Sequence, residues 1–325
     1  MVSLAARVIR LYIQWIRRSK TLFTDACKMR EHIQALYIRP QSFFPPQNLG
    51  PDVFVERVDI HDWPLYRISS SPSFSEVGDV ADRPAMLYCH GGAFINEILS
   101  VHYKFVAQVA RDTGLDVLVP IYPLVPRPAA TAEQVIAGLL RIITQCKQPI
   151  VSIAGDSAGG TLAMLTMQNL IRMKPDFASR VTSLVLISPL LDCTMSHPEA
   201  QALETNDPWL GNVGLRVATD LFSGGWALSD SRLSPIFGDI TDLPPTLLLS
   251  GTHDLLCADA RRLSARFRNS DVSEKSDTGI AGSVKLGRFT YVEAEEMLHV
   301  WPLMPSPEGA EARTNIMGFI TRHLN

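Results

Sequence analysis

The sequence is poor in the features that mark several large classes of protein. Charged residues make up 19% of the chain, below the usual share of about 25%. The 30 basic and 33 acidic side chains nearly cancel, leaving a formal charge of −3. Such a balance gives no global field to gather nucleic acid, and no nucleic-acid partner is expected. Cysteine is sparse and scattered. Cys27, Cys89, Cys146, Cys193 and Cys257 are odd in number and include no C-x-x-C pair. Disulfide frameworks and zinc sites need clustered spacings, so the thiols read as reduced and no metal site is expected. Long apolar runs are missing too: Arg7, Arg10, Arg17, Arg18 and Lys20 interrupt the stretch from Leu4 to Leu22. A secretory signal needs about 7–15 uninterrupted apolar residues and a membrane span about 20. A cytoplasmic location is the expectation. No internal repeat is visible.

What is present is a core-forming chain of 325 residues, 46% of them apolar. At about 150 residues per domain the length suggests roughly two domains, and one large α/β domain with an inserted lid fits equally well. Between Leu4 and Leu36, Leu4, Val8, Leu11 or Tyr12, Trp15 and Ile16 recur at helical spacing, with arginines between them. That pattern predicts an amphipathic helix. A basic amphipathic helix can lie on a membrane surface. Packing on its own protein, as part of a lid, is the reading preferred here, and no membrane-surface contact is expected. The proline-rich run from Arg39 to Pro51 then breaks the helix and marks a linker.

Beyond the linker the period becomes that of strands. Val53–Ile60 alternates, and after the turn-like His61-Asp62-Trp63-Pro64 a second run, Leu65–Ser69, completes a predicted antiparallel hairpin. Short buried runs follow at 85–89, 116–121, 150–154, 183–188, 246–250 and 289–293. Helix-like stretches lie at 101–112, 132–146, 158–173, 258–269 and 310–324. Apolar strands alternating with helices describe an eight-stranded, mostly parallel sheet covered on both faces. Two segments break the alternation. Leu190–Leu243 carries Trp209, Leu221, Phe222 and Trp226 and is far longer than a crossover, as a lid or pocket wall would be. Ser273–Gly287 is polar and glycine-containing, a surface excursion with no assigned role.

The strongest chemical signal is Gly155-Asp156-Ser157-Ala158-Gly159-Gly160, directly after an apolar run and before a helix. A G-x-S-x-G pattern in that context is a strained strand-to-helix turn that presents Ser157 as a nucleophile. The helix N-terminus then aims N–H groups at a developing anion. A serine hydroxyl needs a base, and in this architecture the order along the chain is nucleophile, acid, histidine. Among His197, His253, His299 and His323, His299 comes straight after the last strand, at the carboxyl end where ligands bind in open α/β sheets, whereas His323 sits in the terminal helix. The acid should leave the preceding strand, and Gly251-Thr252-His253-Asp254 supplies Asp254, with Asp259 the local competitor. Asp254 would hold the imidazole tautomer. The turn His90-Gly91-Gly92-Ala93 matches the HGGG type except for its alanine. Gly91 and Gly92, with Ala158 after the nucleophile, are the expected oxyanion donors. His90 is expected to brace the turn.

These pieces together resemble the hormone-sensitive-lipase-like branch of the α/β-hydrolases. The likeness runs from about Pro84 onward and includes Ser188-Pro-Leu-Leu-Asp192, Asp207-Pro-Trp-Leu210, and Arg232-Leu-Ser-Pro-Ile-Phe-Gly-Asp239 before Leu243-Pro-Pro. The last pieces are most similar to esterases and monoterpene lactone hydrolases. The resemblance implies no cofactor and a cap over a pocket for small or medium acyl esters. Residues 1–50 would form an N-terminal cap segment and linker. Residues 51–325 would form the catalytic domain, with a cap insertion at about 190–243. Trp209, Phe222 and Trp226 are candidate pocket residues. One departure stands out: Ile121-Tyr-Pro-Leu-Val-Pro-Arg127 carries arginine where the family commonly has glutamate. A serine hydrolase of carboxylic esters is the expectation. Alternatives are a lactonase, a thioester-releasing or acyl-transfer enzyme of secondary metabolism, and a non-catalytic receptor on the same fold. The partner is accordingly a small-molecule ester, lactone or thioester, and the edge of the last strand is a candidate homodimer contact.

Overall fold

Each of the eight apolar runs forms a strand, and all lie in one sheet. The computed structural model describes residues 2–60, 62–71, 83–270, 275–276 and 283–324. The strands are β1 (Phe54–Ile60), β2 (Trp63–Ser69), β3 (Ala85–Cys89), β4 (Asp116–Pro120), β5 (Ile150–Asp156), β6 (Ser183–Ile187), β7 (Thr246–His253), β8 (Lys275–Ser276), β9 (Ser283–Leu286) and β10 (Phe289–Leu298). Their order across the sheet is β1-β2-β4-β3-β5-β6-β7-β10-β9-β8. From β4 through β10 neighbours run parallel, while β1 and β2 form the expected antiparallel pair at one edge. The predicted turn of that hairpin includes His61, which lies outside the described residues.

The central strands are buried on both faces, and alternate side chains feed two separate cores. Leu87, Leu118, Leu184 and Leu186 join one; Met86, Val117, Val119, Val185 and Ile187 join the other. Helices cover both: α4 (Ser100–Thr113), α5 (Ala132–Gln145), α6 (Ala158–Met173), α10 (Cys257–Ser270) and α11 (Pro307–Arg322), within about three residues of the predicted spans. Two more short pieces, α7 (Pro175–Ala178) and α8 (Pro198–Leu203), and the longer α9 (Asn212–Phe222) fill the connections; α8 and α9 belong to the long insertion.

The N-terminal run is not one helix. α1 (Leu4–Leu11) passes into a π-helical turn at Tyr12–Arg17, then Arg18 turns left-handed at φ 50° and stops it. A short α2 (Lys20–Phe23) follows, and α3 (Ala26–Ile38) starts at Asp25, whose side chain accepts from the N–H groups of Cys27 and Lys28. Phe23, Met29 and Ile33 enter the same core as Leu210, Leu215 and Phe222 of the insertion. This part packs on its own protein, as expected. α1 does not follow. Ser3 ties it to Glu308 at 2.6 and 2.8 Å, yet its predicted apolar stripe faces outward.

Most of the Ser273–Gly287 excursion lies outside the described residues. Its described parts, β8 and β9, extend the sheet, and β9 pairs with Phe289–Val292 of β10. The outer edge of the last strand is therefore occupied over that length and unavailable there for the expected homodimer contact. Burial predicts a sharp contrast between α1 and α3. Ile33→Ala should cost about 2–4 kcal/mol through its buried cavity, whereas Leu4→Ser should change stability by no more than about 0.5 kcal/mol. Urea unfolding of the two variants checks both.

Candidate active site

The nucleophile turn is built by crowding. β5 ends at Asp156, α6 begins at Ala158, and Ser157 between them sits at φ 53°, ψ −122°. A side-chain-bearing residue is strained there, so the surroundings must hold it. Ser157 donates its N–H to the Ile187 carbonyl at 2.9 Å, and its own carbonyl accepts from Leu190 N at 3.1 Å. The motif glycines are needed for space: a Cβ at Gly155 would overlap the Gly159 carbonyl, and one at Gly159 would overlap the Cys89 carbonyl.

Three side chains remote in sequence meet at this turn. His299 Nε2 lies 2.9 Å from Ser157 Oγ, and His299 Nδ1 lies 2.9 Å from Asp254 Oδ2. Because an ionised carboxylate only accepts, Nδ1 carries the proton and Nε2 is left to accept from the hydroxyl. Asp254 Oδ1 accepts from Leu256 N at 2.9 Å, which fixes the carboxylate. His299 follows β10, where the register with β7 shifts between Ala294 and Leu298, and Val300 N donates to Ser188 Oγ at 3.1 Å. Burial pulls the imidazole toward neutrality. The charge and hydrogen bond of Asp254, with the charges of Asp207 and Asp156, outweigh it and hold His299 above the ordinary histidine range. Asp259 is elsewhere: it accepts from Leu191 and Asp192 N–H groups and meets Arg262, bracing the start of the insertion.

The oxyanion turn differs from expectation at Gly91. Its N–H donates to Asp156 Oδ1 at 2.9 Å, so it faces a carboxylate and not a reacting carbonyl. Glycine is required there for another reason, since a Cβ would overlap Asp156 Oδ2. Among the described residues the N–H groups of Gly92 and Ala93 meet no acceptor, and neither does that of Ala158, at the first position of α6. Asp156, the variable residue of the motif, is thus the anchor of the turn. It also accepts from Tyr88 Oη at 2.5 Å and lies 3.4 Å from His102 Nε2. His90 braces the turn, stacked on Tyr122 at 4.4 Å, with burial lowering its pKa to about 4.

Of the three candidate pocket aromatics, Trp209 alone reaches the triad. Its ring meets His299 edge-on at 5.7 Å. Phe222 is 1% exposed and stacked on Phe94 at 3.9 Å, so its ring packs against the oxyanion turn. Trp226 lies under the Arg232 guanidinium at 4.2 Å. Arg127, which stands where the related pattern has glutamate, lies 3.8 Å from the buried Glu97, six residues past Gly91, and Val125 N donates to the Phe94 carbonyl. A charged contact thus joins the segment after the oxyanion turn to the Pro126-Arg127 turn.

Asp207 is the residue that sequence reasoning passed over. It lies in the Asp-Pro-Trp-Leu piece, fully buried. Oδ1 accepts from Trp209 N and Leu210 N at 2.7 and 2.9 Å, and Oδ2 accepts from Leu255 N at 3.0 Å. Burial, then the charge of Asp254, raises its pKa to about 6 against those three N–H groups. One carboxylate therefore joins the insertion to the loop that carries the catalytic acid candidate.

A strained serine on a strand-to-helix turn, a hydrogen-bonded histidine and carboxylate, and unpaired backbone N–H groups define the class of α/β serine hydrolases. A family model described as alpha/beta hydrolase fold matches residues 86–278, and the chain belongs to that family. An esterase of Acinetobacter venetianus is 28% identical over 223 residues, covering 66% of this chain and 71% of that protein. A triacylglycerol lipase of Mycobacterium tuberculosis is 35% identical over 174 residues, or 53% of this chain and 35% of that one. Among solved structures, an esterase from the bacterial hormone-sensitive lipase family superposes with a TM-score of 0.72 at 23% identity over the whole of both chains. An esterase/lipase from an uncultured bacterium gives 0.73 at 22% identity, covering 99% of each. These structural likenesses show the fold.

The carboxylates around His299 predict a pH dependence with a definite sign. They favour the imidazolium, so a function that needs the neutral ring falls away as pH drops through a value above the free-histidine pKa of about 6.5. Asp207→Asn removes one negative charge and keeps one acceptor. The acid limb of kcat/KM should move down by roughly half a unit to one unit. A merely structural role would lower the rate and leave the limb in place.

Proposed function

We propose that this protein is a carboxylic ester hydrolase that works through an acyl-enzyme on Ser157. The observation that carries the reading is the continuous hydrogen-bonded line from Ser157 Oγ through His299 to Asp254. Attack of Oγ on the ester carbonyl transfers the hydroxyl proton to His299 Nε2, and the Asp254 carboxylate stabilises the imidazolium that results. The N–H groups of Gly92, Ala93 and Ala158 are the donors proposed for the tetrahedral oxygen. His299 then returns the proton to the leaving alcohol, and water releases the acid by the same route in reverse. Relatives named esterase and lipase support the reaction class. The substrates that follow are small-molecule esters.

The same reading assigns a cap to the N-terminal segment and the 190–243 insertion. Their shared core of Phe23, Met29, Ile33, Leu215 and Phe222 supports treating them as one unit. It sits against the triad through Trp209. Ser157 is only 7% exposed beneath it, as suits a reaction in which excluded water strengthens every charge interaction.

Ser157→Ala should lower turnover of short p-nitrophenyl esters by at least about a thousandfold while leaving thermal unfolding unchanged. The parent should label with a fluorophosphonate probe and the variant should not. Labelling that persists in the variant, or turnover as fast as the parent's, would overturn the assignment. A parent that never labels would favour a ligand-binding receptor on this fold.

A further inference from the structure

The first helix is an amphipathic element whose apolar side faces away from the protein. Leu4, Val8, Leu11, Tyr12, Trp15 and Ile16 are spaced four, three, one, three and one apart, which lines them on one side of a helix. All are exposed, from 54% at Leu11 to 78% at Leu4. The opposite side is fixed: Ile13 is buried, Val2 and Ala6 pack against the core, and Ser3 bonds Glu308. Between these two sides run Arg7, Arg10, Gln14, Arg17 and Arg18. No acidic residue occurs between Val2 and Thr24. Monomeric surfaces rarely leave so continuous an apolar strip uncovered.

We infer that this helix docks the protein on an anionic lipid surface, lying in the headgroup plane with Trp15 and the leucines inserted. Charge decides between occupants. A purely basic flank beside an apolar stripe with Tyr12 and Trp15 matches an interface of acyl chains under negative headgroups. A second copy of the chain would bring the same arginines against one another. No helix among the described residues is long and apolar enough to cross a membrane, so the contact is peripheral. The docked element and the short α2 that follows it also reach the site described above. Arg17 stacks over Trp209 at 4.9 Å, Lys20 Nζ donates to the Asp207 carbonyl at 2.5 Å, and Trp209 edges onto His299. On the ester-hydrolase reading, the surface would therefore bring the cap beside substrates that partition into lipid.

The test is co-sedimentation of the full chain with vesicles of phosphatidylcholine alone and of phosphatidylcholine mixed with phosphatidylglycerol. The parent should bind the mixed vesicles about tenfold more tightly than the neutral ones, and added salt should erase the difference. A Leu11→Glu, Trp15→Glu double variant should lose binding by about tenfold or more, with thermal unfolding and turnover of a short soluble ester unchanged. Arg7→Glu, which spares the apolar stripe, should weaken binding to the mixed vesicles alone. Parent protein that stays in the supernatant, or a double variant that binds as the parent does, overturns the proposal. Sedimentation velocity giving a dimer that the double variant abolishes, without vesicle binding, overturns it in favour of self-association. Binding is read without turnover, so its failure leaves the hydrolase reading standing.

Discussion

The whole site depends on how closely backbone can approach backbone at one turn. Ser157 holds a conformation that side-chain-bearing residues avoid, and it is kept there by the bond from its N–H to the Ile187 carbonyl and by the one its own carbonyl accepts from Leu190 N. Gly155 packs against the Gly159 carbonyl, Gly159 against that of Cys89, and Gly91 against the Asp156 carboxylate. Any Cβ at these points would push the strand ends apart. The same closeness lets the Asp156 carboxylate collect Tyr88 and Gly91 from the neighbouring strand end. Strain at the serine and order in the adjacent turn thus have a common origin, and both are sustained by the parallel sheet beneath.

Around that turn the structure concentrates negative charge with unusual economy of contacts. Asp254 holds the histidine directly, while Asp207 and Asp156 act on it across space. Each of these carboxylates is buried, and each is supplied with donors: Leu256 N for Asp254, three backbone N–H groups for Asp207, and Tyr88, Gly91 and His102 for Asp156. Burying a carboxylate without such donors would be costly. The donors are backbone N–H groups in two of the three cases, so the segments that carry the charges are also shaped by them. Asp207 is the link by which the insertion responds to the acid loop.

The N-terminal segment divides its work. α3 contributes Met29 and Ile33 to the core that Leu215 and Phe222 of α9 also enter. α1 contributes little to any core and instead carries its apolar side outward. The break between them, at the left-handed Arg18, separates an element held by packing from one held by a few contacts to α11.

Much of this was legible in the chain itself. Strand and helix periods differ, so the eight runs and their helices appear in sequence close to where they form, although β7 and β10 run on past the predicted ends to His253 and Leu298. Ser157, Asp254 and His299 are marked because each follows an apolar run in a fixed order, and chain order is a one-dimensional property. Tertiary structure decided what depends on distance between segments with no common period. It turned the Gly91 N–H to Asp156, stacked Phe222 on Phe94, and, of the three candidate aromatics, set Trp209 against His299. It paired Arg127 with Glu97 and Asp207 with the acid loop. It also left the first helix's apolar side without a cover. Helical spacing states that a residue lies on a given face, and only the packing of everything else determines whether that face meets protein or solvent.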